Sequence, residues 1–93
     1  MKTVIIQAGN SDNKLTQQEW SQFVLKLKGR VASYALRTHF FGGSSTFEPW
    51  QNVAMVVEVH HIHVELLKSE LAEIRAEYNQ DSVAVTVGDT IFV

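Results

Sequence analysis

Val53-Ala54-Met55-Val56-Val57-Glu58-Val59 decides how the rest of this chain is read. It is β-branched and apolar nearly throughout, a composition that marks a strand in the middle of a sheet or covered on both faces. Upstream of it, Phe41 to Asn52 is a stretch of glycines, hydroxyls and aromatics. Downstream come His60-His61-Ile62-His63 and a long amphipathic segment. A site is expected where these three pieces meet.

Working outward, Val4, Ile5, Ile6 and Ala8 predict a buried first strand over residues 2–8, and Gly9 to Asn13 a turn. Thr16-Gln17-Gln18-Glu19 reads as a capping box, flanked by Leu15 and Trp20 at the positions of a hydrophobic staple. Trp20, Phe23, Val24 and Leu27 then recur at helical spacing, with Gly29 a natural stop, although the pattern extends to Ala32 or Ser33. From Tyr34 to Phe41 the period changes to two, setting Tyr34, Leu36, Thr38 and Phe40 on one side and Ala35, Arg37, His39 and Phe41 on the other. Val64, Leu67, Leu71, Ile74 and Tyr78 predict a second helix over Ile62–Tyr78, with Asn79 as a left-handed cap. Residues 82–87 predict a fourth strand and Thr90–Val93 a short final one.

The resulting order is β-α-β-β-α-β, the ferredoxin-like α+β arrangement: an antiparallel sheet with two helices on one face, here with a short C-terminal strand. In that order the chain resembles amino-acid-binding regulatory domains, acylphosphatases and the dimeric antibiotic-biosynthesis monooxygenases. It matches none of them by motif. The Gly-rich, Arg-ending phosphate loop of acylphosphatases has no equivalent in Gly9-Asn10-Ser11.

Ninety-three residues make a single domain, and 45% hydrophobic with 19% charged content is that of an ordinary globular chain. There is no cysteine, which removes disulfides, thiolate metal sites and thiol nucleophiles and fits a cytoplasmic setting. No run reaches the length of a membrane span, and Met1 to Ile6 reads as a strand rather than a signal peptide. A net charge of −2 gives no general attraction to nucleic acid. The charge is uneven, +4 over residues 1–46 and −6 over residues 47–93. Either the two helices complement one another or two copies do.

Four groups of residues bear on function. Gly42, Gly43, Ser44 and Ser45, with Thr46, offer backbone and hydroxyl donors to an anion, and Phe41, Phe47 and Trp50 offer rings to stack on one. No Gly-Lys-Ser/Thr follows, so this is no Walker loop. His60, His61 and His63 match no zinc spacing, and no metal or other cofactor is assigned. Arg37, His39 and Glu58 fall on neighbouring strands, where they can pair across the sheet or act on a substrate. The strands at Val4–Ala8 and Val53–Val59 lack the aromatics of an RNA-recognition sheet, which argues against RNA binding.

The expected function is non-catalytic capture of a small anionic or nucleotide-like ligand by Arg37, His39, Phe41, Gly42, Gly43, Ser44, Ser45, Phe47, Trp50 and Glu58. One alternative is a protein-interaction or inhibitor module gripping through Glu70, Glu73 and Glu77. Another is a small enzyme built on His39 and Glu58. With helices on one face only, Thr3, Ile5, Gln7, Ala54, Val56, Glu58, Ala84 and Thr86 are expected on an open face with Arg37, His39 and Phe41. A homodimer through that face or through Ile91-Phe92-Val93 is expected to cover it.

Overall fold

A computed structural model describes residues 1–10, 14–44 and 51–93. In chain order these form β1 (Lys2–Gly9), α1 (Gln17–Tyr34), β2 (Ala35–Gly43), β3 (Asn52–Val59), a 3-10 turn (His61–His63), α2 (Val64–Glu77) and β4 (Ala84–Gly88). The strands make one antiparallel sheet in the order β2-β3-β1-β4, the ferredoxin-like layout, with β1 and β3 central.

The centre of the sheet is settled by alternation. Val4, Ile6 and Ala8 of β1 and Val53, Met55, Val57 and Val59 of β3 are buried beneath the helices. Phe23, Leu27 and Val31 of α1 and Leu67, Leu71 and Ile74 of α2 close over them. Phe23 is fully buried between Trp20 and Tyr78, with ring centroids 6.0 and 5.2 Å away. The capping box forms as expected: the Glu19 amide donates to Thr16 Oγ1 and the Thr16 amide to Glu19 Oε1. Asn79 takes the left-handed conformation, φ 53°, just beyond α2.

The uneven charge is matched within one chain. Lys26 reaches Glu77 and Arg30 reaches Glu70 between the helices, while Lys2 pairs with Asp89 and Lys14 with Asp81. Tyr34 also donates to Glu70. That hydrogen bond raises the phenol's pKa and, with Arg30 helping, holds the Glu70 carboxyl below its ordinary value.

Three expectations are corrected. Gly29 does not end α1, which continues five residues to Tyr34. The roughly 1 kcal/mol cost of a mid-helix glycine is outweighed by burial of Val31 and by the Arg30 and Tyr34 contacts to Glu70. No strand forms over Thr90–Val93. Instead the tail turns onto the open face, where Thr90 meets Thr3 through their hydroxyls and the Phe92 ring lies 6.0 Å from that of His39.

The third correction concerns β2. Its register slips between Ala35 and Arg37 and again between Thr38 and Phe40. A β-bulge adds a residue to one strand and so reverses the facing of everything after it. Arg37 therefore pairs with Glu58 on the open side, but Phe40 pairs there with Val56 while Phe41 pairs with Met55 on the helix side. Phe40 and Phe41 exchange the faces that simple alternation gives them.

Across the open face the registers define three rows. Arg37, Glu58 and Thr3 form a charged row. Phe40, Val56, Ile5 and Thr86 form a bulky one, and Gly42, Ala54, Gln7 and Ala84 a mostly small one.

Candidate functional site

The bulges divide the expected site between the two sides of the sheet. On the open side, Arg37 Nε and His39 Nε2 each lie 3.7 Å from Glu58 Oε2, so cross-strand pairing does bring these three together. Glu58 is 8% exposed, and its Oε2 is buried with no hydrogen-bond partner among the described residues. At 3.7 Å neither side chain hydrogen-bonds to the carboxylate, and the Arg37 guanidinium supplies a countercharge. The exposed Phe92 ring of the tail lies near the His39 end of this group.

On the helix side, Phe41 and Ser44 line a groove of about 400 Å³ against α1. Its α1 wall is Gln17, Trp20, Ser21, Val24, Leu25 and Lys28, and Gln51 completes it. The wall follows from helical spacing, because positions 17, 21, 24, 25 and 28 share one stripe beside the core stripe of 23, 27 and 31. Lys28 lies opposite Lys26 and Arg30 around the helix, so it points away from the acids of α2. Its Nζ sits 4.3 Å from the centroid of the Phe41 ring. Among the described residues it has no carboxylate partner. A smaller apolar recess of about 70 Å³, lined by Lys28, Val31, Thr38, Phe41, Met55 and Val57 among others, adjoins the groove.

The groove's far end is built on side-chain amides, of which Asn10 and Gln51 are buried. Gln17 and Gln51 exchange side-chain hydrogen bonds of 3.0 and 2.8 Å. Asn10, 2% exposed, holds the Leu15 amide and carbonyl at 3.0 Å and gives its own amide to the Gln51 carbonyl at 2.8 Å.

Gly42 and Gly43 belong to β2 rather than to the loop beyond it. A Cβ on Gly42 would stand 2.6 Å from the Phe40 ring, and one on Gly43 would stand 2.2 Å from the Asn52 carbonyl oxygen. Both glycines thus serve close packing. The Ser44 amide donates to the Asn52 carbonyl at 3.0 Å, and its hydroxyl accepts from the Asn52 amide at 2.9 Å. Ser45, Phe47 and Trp50 lie outside the described residues.

Elsewhere, His60 Nδ1 accepts from the Ile62 amide at 3.3 Å, and the His60 ring stacks on His61 at 4.6 Å. Partial desolvation, then repulsion by His61, lowers the His60 pKa. No group of three His, Cys, Asp or Glu among the described residues is arranged to hold a metal ion. Of the acidic stripe on α2, Glu70 and Glu77 are tied to α1. No described helix is long and apolar enough to cross a membrane.

Sequence reading missed Lys28, Trp20, Gln17 and Gln51 as groove residues. The available signal was Val24 and Leu25 beside Trp20, an apolar width larger than the core stripe needs. In comparison with known proteins, the chain matches no family model and no curated protein sequence.

Proposed function

We propose that the protein is a non-catalytic binder of a small anionic molecule carrying an aromatic ring, nucleotide-like in character, held in the groove between α1 and β2. The observation that carries this reading is Lys28, an ammonium with no carboxylate partner among the described residues, poised over the Phe41 ring inside a groove that Trp20 also lines. The groove's volume of about 400 Å³ is that of a small-ligand site. Phe41 and Trp20 supply ring faces, Lys28 the countercharge, and Ser21, Ser44 and the Gln17–Gln51 pair the orienting polar groups. Among the described residues Lys28 is the groove's one titratable lining group, which supports holding a ligand over acid-base chemistry on it.

Thermal-shift titration with nucleoside monophosphates and with phenyl phosphate tests the reading. At a ligand concentration about 100 times Kd, stabilisation of roughly 2.7 kcal/mol is expected. Lys28→Gln should weaken binding at least tenfold while leaving the unliganded melting temperature nearly unchanged. No stabilisation by any member of that panel contradicts the proposal. We take the working species to be a cytoplasmic homodimer, a reading supported by the apolar residues left on the open sheet face.

A further inference from the structure

We infer that the ligand of the α1–β2 groove is an anion with two arms, an aromatic ring that lies in the groove and a short saturated chain, about three carbons long, that seats in the adjoining recess. The inference rests on the groove reading and adds the ligand's second arm and its size.

The recess follows from small side chains at the edge of the sheet. β2 is an edge strand, and on its helix side Thr38 pairs with Val57 and Phe41 with Met55. Lys28, Val31 and Ala32 face them from α1, because positions i, i+3 and i+4 share one side of a helix. Val31, Met55 and Val57 are buried and make an apolar floor. Ala32 and Thr38 are too short to close the space above it, and both are exposed, so the recess opens to solvent. A void sealed in the core gives a ligand no way in. This one has an entrance and an ammonium beside it.

Lys28 and Phe41 line the recess and the groove alike, and the Lys28 Nζ lies 4.3 Å from the centroid of the Phe41 ring. Lys28 has no carboxylate partner among the described residues, so an anion drawn to it stands where the two spaces meet. One arm then runs into the groove, which Trp20 also lines, and the other into the recess. The recess holds about 70 Å³. An apolar cavity of about 150 Å³ takes the six carbons of benzene, so about three carbons fill this one. Its floor carries no polar side chain, which suits a saturated chain and penalises a polar one.

Calorimetric titration with alkyl phenyl phosphates tests this, because the methyl, propyl and hexyl esters carry the same single negative charge and differ only in the chain. Going from methyl to propyl buries two more methylenes, about fourfold each, so binding should tighten about 15-fold. The hexyl ester should gain no more than about threefold over propyl, because the recess is then full. Ala32→Leu, which fills the mouth of the recess from an exposed helix position, should erase the chain preference and leave the methyl ester's affinity within about twofold. If that variant fails to fold, the wild-type series decides by itself. Absence of binding by phenyl phosphate, by nucleoside monophosphates and by every ester defeats both the groove reading and this inference. Binding of phenyl phosphate or a nucleoside monophosphate, with no gain from methyl to propyl, keeps the groove reading and defeats this inference. A propyl preference that survives in folded Ala32→Leu protein, or an equal gain per carbon all the way to hexyl, overturns the assignment of the recess.

Discussion

The two faces of the sheet are made from the same strands and much the same residues, yet only one is finished. On the helix side, Val4, Ile6, Val53, Met55, Val57 and Val59 are each 5% exposed or less. One step along the same strands, Ile5, Ala54 and Val56 are half-buried, and Glu58 has a carboxylate oxygen without a hydrogen bond among the described residues. β-Branched composition therefore specifies the strand, whereas the amphipathic helices decide which side becomes core. The contrast extends to charge. Between the helices the ionic groups are hydrogen-bonded, as in Arg30 and Tyr34 on Glu70. On the open side Arg37 and His39 only approach Glu58.

The largest effect expected from breaking this contrast is at Phe23. Phe23→Ala removes a fully buried ring from the finished side and should cost about 3–5 kcal/mol. That is a large fraction of the roughly 5–14 kcal/mol expected for a domain of this size, at about 0.05–0.15 kcal/mol per residue. Urea denaturation should find the midpoint sharply lowered. Met55→Ala and Val56→Ala set the two faces against each other at adjacent positions. Met55→Ala should cost about 2–5 kcal/mol whatever the protein concentration. On the proposed homodimer, Val56→Ala should cost less, by an amount that grows with concentration. Equal, concentration-independent losses would erase the distinction between the faces.

A smaller effect is expected at the start of α1. Thr16→Ala removes the capping hydrogen bond to the Glu19 amide, a loss of about 1 kcal/mol. It should lower the melting temperature without altering the oligomeric state, because it weakens the cover on one face and leaves the other alone. The smallest effect concerns pH. The Tyr34 hydrogen bond, with Arg30, holds Glu70 below its ordinary pKa of 4.5. The folded chain then binds this proton less readily than the unfolded chain does. The contribution is complete above about pH 4.5 and is lost as pH falls through the folded-state value. Glu70→Gln should flatten the acid limb of a melting-temperature profile by that contribution and leave the neutral region less stable than wild type.

The sequence showed this architecture wherever side-chain pattern and backbone geometry agree. Alternation placed Val53 to Val59 and Val4 to Ala8 correctly, Thr16 and Glu19 marked a helix start, and Asn79 marked a left-handed end. It failed at β2 because a bulge is a backbone event with no side-chain signature. Phe40 and Phe41 are chemically identical, and only the slip after Thr38 decides which faces the helices. Gly29 misled because a local propensity was read without Val31 and Tyr34, whose contacts carry the helix past it. The candidate groove was legible in part. Phe41 and Ser44 were singled out, but Lys28 was not, because a lysine on a helix carries no signal of the groove it faces.

The reading proposed for the open face is that a second copy covers it. Cross-linking from a single engineered thiol tests this directly, because the chain has no cysteine of its own. Val56→Cys protein at tens of micromolar is treated with a bis-maleimide spanning about 10 Å, the spacing of stacked sheets. The proposal predicts a covalent dimer joined at position 56, whereas Glu73→Cys protein, with its thiol on the exposed side of α2, stays a single chain. Absence of cross-linking at position 56 would contradict it.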